Sequence, residues 1–124
     1  MRTFDRELRK RTWEQIYSVA AQVDEIFGTT TEVDINHGYP TVVNDSNLTQ
    51  HAREVADGVC EVVELAKRYT AEDFGFYTEQ YPSLFYRLGV GSAAGRSHSA
   101  TFSPDERAIA VGVKMMTKIA QTVK

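Results

Sequence analysis

The sequence predicts the α/β class, present here as an α+β piece, and three observations predict it. Three stretches carry apolar residues at helical spacing. Runs of β-branched and apolar residues alternate with those stretches, as strands would. The strand candidates are few, a thin sheet for the helices they would support. Such a chain is expected to be a segment of something larger, or to pair with another copy of itself. The opening Met1-Arg2-Thr3-Phe4 reads as the end of a strand, and a strand edge without a neighbour is a liability.

The first helix is expected from Arg6 to Phe27. Asp5 can cap it, and Trp13, Ile16, Tyr17, Ala20, Val23 and Phe27 mark one apolar face. Gly28 follows the last of them, where a left-handed terminal residue favours glycine. In residues 29–35, Val33 and Ile35 alternate with Glu32 and Asp34, the pattern of a half-buried strand that 41–43 would extend. Asn44-Asp45-Ser46-Asn47 is a polar break rich in capping residues. A second helix is expected beyond it, with Leu48, Ala52, Val55, Val59, Val62, Val63 and Ala66 as its stripe. Gly58, inside that stripe, is expected to mark the close approach of another element. Residues 72–79 read as a short helix or turn, and 84–90 as a buried strand. A loop of small residues then leads from Gly89 to His98. Ser103-Pro104-Asp105-Glu106 is the signature of a last helix, whose inner stripe would be Ile109, Val113, Met116, Ile119, Ala120 and Val123.

Composition narrows the function. The 124 residues suit one domain or parts of two, with 42% hydrophobic and 25% charged residues. A net charge of -3 argues against general nucleic-acid binding, which draws on a basic surface. The single cysteine, Cys60, forms no internal disulfide and reads as a small core residue. No N-terminal apolar run marks a leader or a membrane helix, so the expected setting is cytoplasmic.

Few residues invite chemistry. His98 ends a glycine-rich loop after a buried strand; it is either a solvated loop histidine or a nitrogen ligand for a metal. Glu72 and Asp73 are either an acidic helix start or paired carboxylates for metal or proton chemistry. His37 and His51 lack the i, i+4 histidine pairing of helical zinc sites and suit structural or solvated roles. Met115-Met116 reads as core. The loop from Gly89 to Gly95 lacks the lysine of a phosphate-binding loop and is not followed by a helix at the dinucleotide spacing.

Taken in order, these features resemble a known family. Arg2-Thr3-Phe4 precedes a helix; a strand ends in Gly38-Tyr39-Pro40, with Asn44-Asp45 beyond. Glu72-Asp73-Phe74, Phe85-Tyr86-Arg87-Leu88-Gly89, His98 and Phe102-Ser103-Pro104-Asp105-Glu106 follow, with Gly112 inside the last helix. The set is similar to the C-terminal part of the zinc-dependent N-acyl-amino-acid amidohydrolases, which include aminoacylases, hippurate hydrolases and carboxypeptidase-G-type peptidases. The Glu-Asp-Phe form looks most like the hippurate hydrolase and N-acetyl-diaminopimelate deacetylase branch.

The resemblance implies that residues 1–43 are the second half of a lid or dimerisation domain and that 44–124 are the C-terminal segment of an α/β catalytic domain. It implies a homodimer and a substrate that is an N-acyl amino acid or small peptide, with no nucleic acid and no membrane as partner. It also implies two zinc ions that activate a water, and a glutamate elsewhere that moves the proton. His98 matches the family's C-terminal metal ligand. Glu72 and Asp73 match positions near the metal pocket without being ligands, and Gly91 lies in the segment that matches the one beside bound substrate; Arg96, on the same loop, is a departure from the family whose guanidinium could contact a substrate carboxylate. Ser97 departs from the family, which carries an apolar residue before that histidine. One histidine cannot hold a zinc pair, so the expectation is a piece inactive alone. The competing expectation is a non-catalytic dimerisation or interaction module built on the opening strand and first helix.

Overall fold

A computed structural model describes residues 3–123. Its regular elements are α1 (Arg6–Phe27), α2 (Ser46–Ala56), the short α3 (Gly75–Thr78) and α4 (Arg107–Thr122). Among the described residues there is no strand, so the sheet expected from the sequence is absent here. Met1 and Arg2, half of the expected opening strand, lie outside the described residues; Thr3 and Phe4 are not in a strand.

α1 begins and ends where its sequence signals stand. The Asp5 carboxylate accepts the Leu8 amide at 2.9 Å, and Gly28 closes the helix at φ 63° with its amide on the Asp24 carbonyl. The Asp24 carboxylate then gathers the Thr29 hydroxyl at 2.7 Å and the Thr31 amide and hydroxyl, each at 2.8 Å. These bonds, that of Thr29 foremost, hold the Asp24 carboxyl below its usual range. They also explain why 29–35 does not leave as a strand. Its first residues fold back to satisfy the carboxylate at the helix end, and no neighbouring strand competes for them.

α2 is capped by Asp45, whose carboxylate accepts the Leu48 amide at 2.9 Å. It stops at Ala56 rather than running to Ala66. Gly58 takes φ 70° and nothing lies within 4 Å of a Cβ placed there, so it is a turn residue and not a point of close packing. The Val59 and Cys60 amides both close on the Ala56 carbonyl. Beyond them the chain is irregular, and Cys60 is exposed rather than in the core.

α4 starts at Arg107, a turn later than the serine suggests. The Asp105 carboxylate accepts the Arg107 amide at 2.9 Å and also pairs with its guanidinium. The Ser103 amide instead donates to the Ala94 carbonyl at 2.9 Å. The helix also turns a partly different side inward. Met115 is buried and Val111, Gly112 and the expected Ile119 are half-buried, while the other expected inner residues, Ile109, Val113, Met116, Ala120 and Val123, are exposed. The apolar face of α4 is one wide arc running from Val111 to Val113, with Arg107, Lys114, Lys118 and Gln121 opposite, so spacing alone does not choose which part of the arc turns inward.

α2 and α4 pack together, and their contact holds Ala52, Ala56 and Met115, three of the four buried apolar residues described. A Cβ on Gly112 would lie 2.9 Å from Leu88 Cδ2, so glycine here lets residues 84–90 settle onto α4. The core is small for the chain. The molecule exposes 10173 Å², whereas a compact monomer of this mass exposes roughly 6,700 Å².

Candidate functional site

The loop from Val90 to Asp105 is pinned at its base and turned back on itself. The Asp105 amide donates to the Val90 carbonyl at 2.9 Å, and the Ser103 amide to that of Ala94, which is buried. Gly91 at φ 91° and Gly95 at φ 78° supply left-handed turns. Each also sits against its neighbours: an added Cβ would meet Asp105 Cβ or the Thr101 carbonyl at 3.3 Å. Bonds from the Ser99 amide to the Arg96 carbonyl and from the Phe102 amide to the Ser99 carbonyl complete the turn.

This frame presents His98 outward. The histidine is exposed and is the one non-glycine residue at positive φ among those described, at 63°. An L residue there costs about 1–2 kcal/mol, which the pinned loop must offset. No hydrogen bond or ring contact to its imidazole is recorded among the described residues. Arg96 and Gly91 on the same loop are exposed as well.

Glu72 and Asp73 lie elsewhere, ahead of α3. Glu72 is half-buried and one oxygen accepts the Phe74 amide at 3.3 Å, the work of a turn-forming acid. Asp73 is exposed and its carbonyl accepts the Phe76 amide. His37 packs on Trp13, ring centres 4.0 Å apart, and His51 Nε2 meets the Thr122 hydroxyl at 2.9 Å. No three His, Cys, Asp or Glu side chains come together in a metal-holding group among the described residues. The residues present therefore do not fit a zinc centre by themselves, since each ion takes about three protein ligands. They offer one outward imidazole.

Two cavities carry residues the sequence did not single out. A groove of about 740 Å³ is lined by Arg9, His37, Tyr39, Glu72, Tyr86 and Arg87, among others. Arg9 crosses it, donating to the Tyr39 and Thr3 carbonyls at 3.1 Å each, and so ties α1 to the chain before α2. A second cavity of about 470 Å³ lies between residues 60–65, residues 84–89 and the α2–α4 pair. Tyr86 lines both, and burial, with a lesser push from Cys60, raises its hydroxyl above the ordinary phenol value. Its place beside Leu84 and Leu88 in the alternation of 84–90 was the available signal.

With this geometry in hand, comparison with known proteins decides the family. The sequence profile of peptidase family M20/M25/M40 matches residues 9–122, nearly the whole chain. The chain belongs to this family. Among its relatives is an N-acetyldiaminopimelate deacetylase of Pediococcus pentosaceus, 34% identical over 111 residues, which are 87% of this chain and 29% of the relative. The Bacillus subtilis protein of the same name is 34% identical over 119 residues, 94% of this chain and 32% of the relative. An N-acetyl-L-cysteine deacetylase of Bacillus subtilis is 31% identical over 110 residues, 88% of this chain and 26% of the relative. The chain thus spans less than a third of the length of these relatives. No solved structure matches it.

Proposed function

We propose that this chain is the C-terminal piece of a metal-dependent amidohydrolase that cleaves the amide bond of N-acyl amino acids or small peptides, and that it is inactive alone. The observation that carries the reading is His98: an imidazole held at positive φ on a pinned loop and exposed to solvent, with no metal-holding group of donors among the described residues. A ligand whose partners lie on another part of the protein would look like this. The relatives' names, deacetylases of acylated amino acids, supply the substrate class.

In this reading His98 gives one nitrogen to a divalent metal, zinc in the first place, completed by residues outside this chain. Gly91 and Arg96 lie beside the substrate, the Arg96 guanidinium two residues from the ligand and able to pair with a carboxylate. Glu72 and Asp73 stand near the pocket without binding metal. Residues 1–43 belong to the lid or dimerisation domain and 44–124 to an α/β catalytic domain whose sheet forms once its other strands are present. The homodimer is part of the proposal, supported by α1, which buries none of its residues and exposes Ile16, Tyr17 and Val23. So is a cytoplasmic setting, in keeping with a free, exposed Cys60. No described helix is long and apolar enough to cross a membrane.

The exposed face of α1 also favours a second reading, a non-catalytic dimerisation module. Co-expression with the remaining two thirds of the Bacillus subtilis N-acetyldiaminopimelate deacetylase separates the two. The amidohydrolase reading expects zinc-dependent release of acetate that His98→Ala abolishes. A dimer of the chain indifferent to both zinc and His98→Ala, with no hydrolysis in any combination, would favour the module.

A further inference from the structure

Among residues 91–105 only Ala94 and Asp105 are not exposed. The loop closes at both of them. The Ala94 carbonyl accepts the Ser103 amide, and the Asp105 amide donates to the Val90 carbonyl, each at 2.9 Å. The first closure is backbone alone, so any residue but proline could supply its donor. The second is different, because the Asp105 side chain takes part. Its carboxylate accepts the Arg107 amide at 2.9 Å, at the start of α4, and its carbonyl accepts the Ala108 amide at 3.0 Å. Its Cβ stands 3.3 Å from the place a Cβ on Gly91 would take. One residue thus fastens both ends of the loop to the first turn of α4, which is itself packed on α2.

His98 lies between those ends at φ 63° and is exposed. With no recorded bond or ring contact to its imidazole among the described residues, its backbone is held by the closure of the loop. A left-handed L residue is unfavourable by itself and persists only where the surroundings over-determine it. Freeing the loop at Asp105 removes that constraint, so His98 returns to negative φ and its imidazole points elsewhere.

We infer that Asp105 is a positioning residue for His98: by fastening the loop to α4 it keeps the imidazole in the orientation that a metal site completed elsewhere requires. The inference rests on the function proposed above, in which His98 is a metal ligand. The oxygen that takes the Arg107 amide does the fastening, and the ion pair does not. The Arg107 side chain is 91% exposed, and a pair so open to water contributes little. An asparagine oxygen accepts a helix-start amide as well as an aspartate oxygen does, whereas alanine cannot. Asp105→Asn therefore keeps the fastening and Asp105→Ala loses it.

The test begins with nuclear magnetic resonance on the full chain. At positive φ the amide proton and Hα of one residue stand close together, so His98 should give a strong Overhauser peak between them. Asp105→Ala should weaken that peak while the Ala52 and Met115 amide shifts, in the α2–α4 contact, stay in place. Asp105→Asn and Arg107→Ala should leave it as in the parent. Gly91→Ala, which presses a Cβ on Asp105 from the other side, should weaken it too and serves if Asp105→Ala does not fold. The consequence is read in the assembly with the remaining two thirds of the Bacillus subtilis N-acetyldiaminopimelate deacetylase. There Asp105→Ala should lower zinc affinity and kcat by roughly tenfold or more, the usual loss when a group that orients a metal ligand is removed. KM should change less, and Asp105→Asn should restore both. An unchanged His98 peak in Asp105→Ala and Gly91→Ala overturns the inference. So does an Asp105→Asn chain as loose as Asp105→Ala, or an assembly whose zinc affinity and kcat ignore Asp105→Ala. If the unsubstituted assembly does not hydrolyse where the relative's own third does, the amidohydrolase reading fails instead, and the His98 peak still decides whether Asp105 holds that residue.

Discussion

Replacing Gly75 by alanine should destabilise the chain although alanine is the better helix former. Gly75 is buried at the start of α3, and a Cβ there would stand 2.4 Å from the Pro40 carbonyl oxygen, 3.0 Å from its carbon and 3.1 Å from its ring. These atoms belong to backbone and to a closed ring, so no rotamer change relieves the overlap. Forcing such a contact costs about 1–3 kcal/mol, against a helix-propensity gain of about 1 kcal/mol at most in so short a helix. At 2.4 Å from a backbone oxygen the cost lies at the upper end of that range, so the net loss is about 2 kcal/mol, a fall of roughly 2 M in urea midpoint at a slope of about 1 kcal/mol/M. Urea titration followed by far-ultraviolet circular dichroism gives the loss. Trp13 fluorescence gives its location, because Trp13 packs on His37, three residues before Pro40. Gly112→Ala is the control: its close neighbour is the end of the Leu88 side chain, which can rotate away, and its net effect should stay within about 1 kcal/mol. A Gly75→Ala chain as stable as the parent, with unchanged Trp13 emission, would refute the packing of Pro40 on α3.

Other perturbations give separate readouts. Asp24 has its carboxyl depressed by Thr29 and Thr31 from an ordinary 3.8, so its share of stability is full above that value and lost as pH falls through the lowered one. Asp24→Asn should therefore lower stability at neutral pH and flatten its decline below about pH 4, as followed by circular dichroism against pH. Met115→Ala, in the α2–α4 contact, should cost about 2 kcal/mol by urea titration, the low end for a core methionine because the neighbouring cavity lets the site relax. Tyr86→Phe should remove a phenol that titrates above the ordinary value from an ultraviolet alkaline titration, since burial raises that hydroxyl.

Legibility in the sequence followed the range of the forces. α1 was readable to its ends because Asp5 and Gly28 act within a turn of the helix they close. The second helix was overextended because Val59, Val62 and Val63 fall at helical spacing yet are β-branched, a type that suits strands; the left-handed Gly58 ends the helix before them. α4 was legible as a helix, but its start was set a turn early and its inward line partly misjudged, since its apolar arc is wide and its partner was unknown. The strands failed for a different reason. Periodicity marks a segment as fit for a sheet, but a ladder needs neighbours, and among the described residues 84–90 has backbone bonds only to the Asn44 side chain at Phe85 and to the Asp105 amide at Val90. His98 was legible as a loop residue after a buried segment; its left-handed backbone was not, because nothing local demands it.

The central claim is that this chain carries one ligand of a metal site completed elsewhere. Calorimetric titration of the isolated chain with zinc, paired with an assay for acetate release from an N-acetyl amino acid, tests it most directly. The expected result is weak binding and no turnover from the chain alone. Stoichiometric, tight zinc binding with hydrolysis by the isolated chain would contradict it.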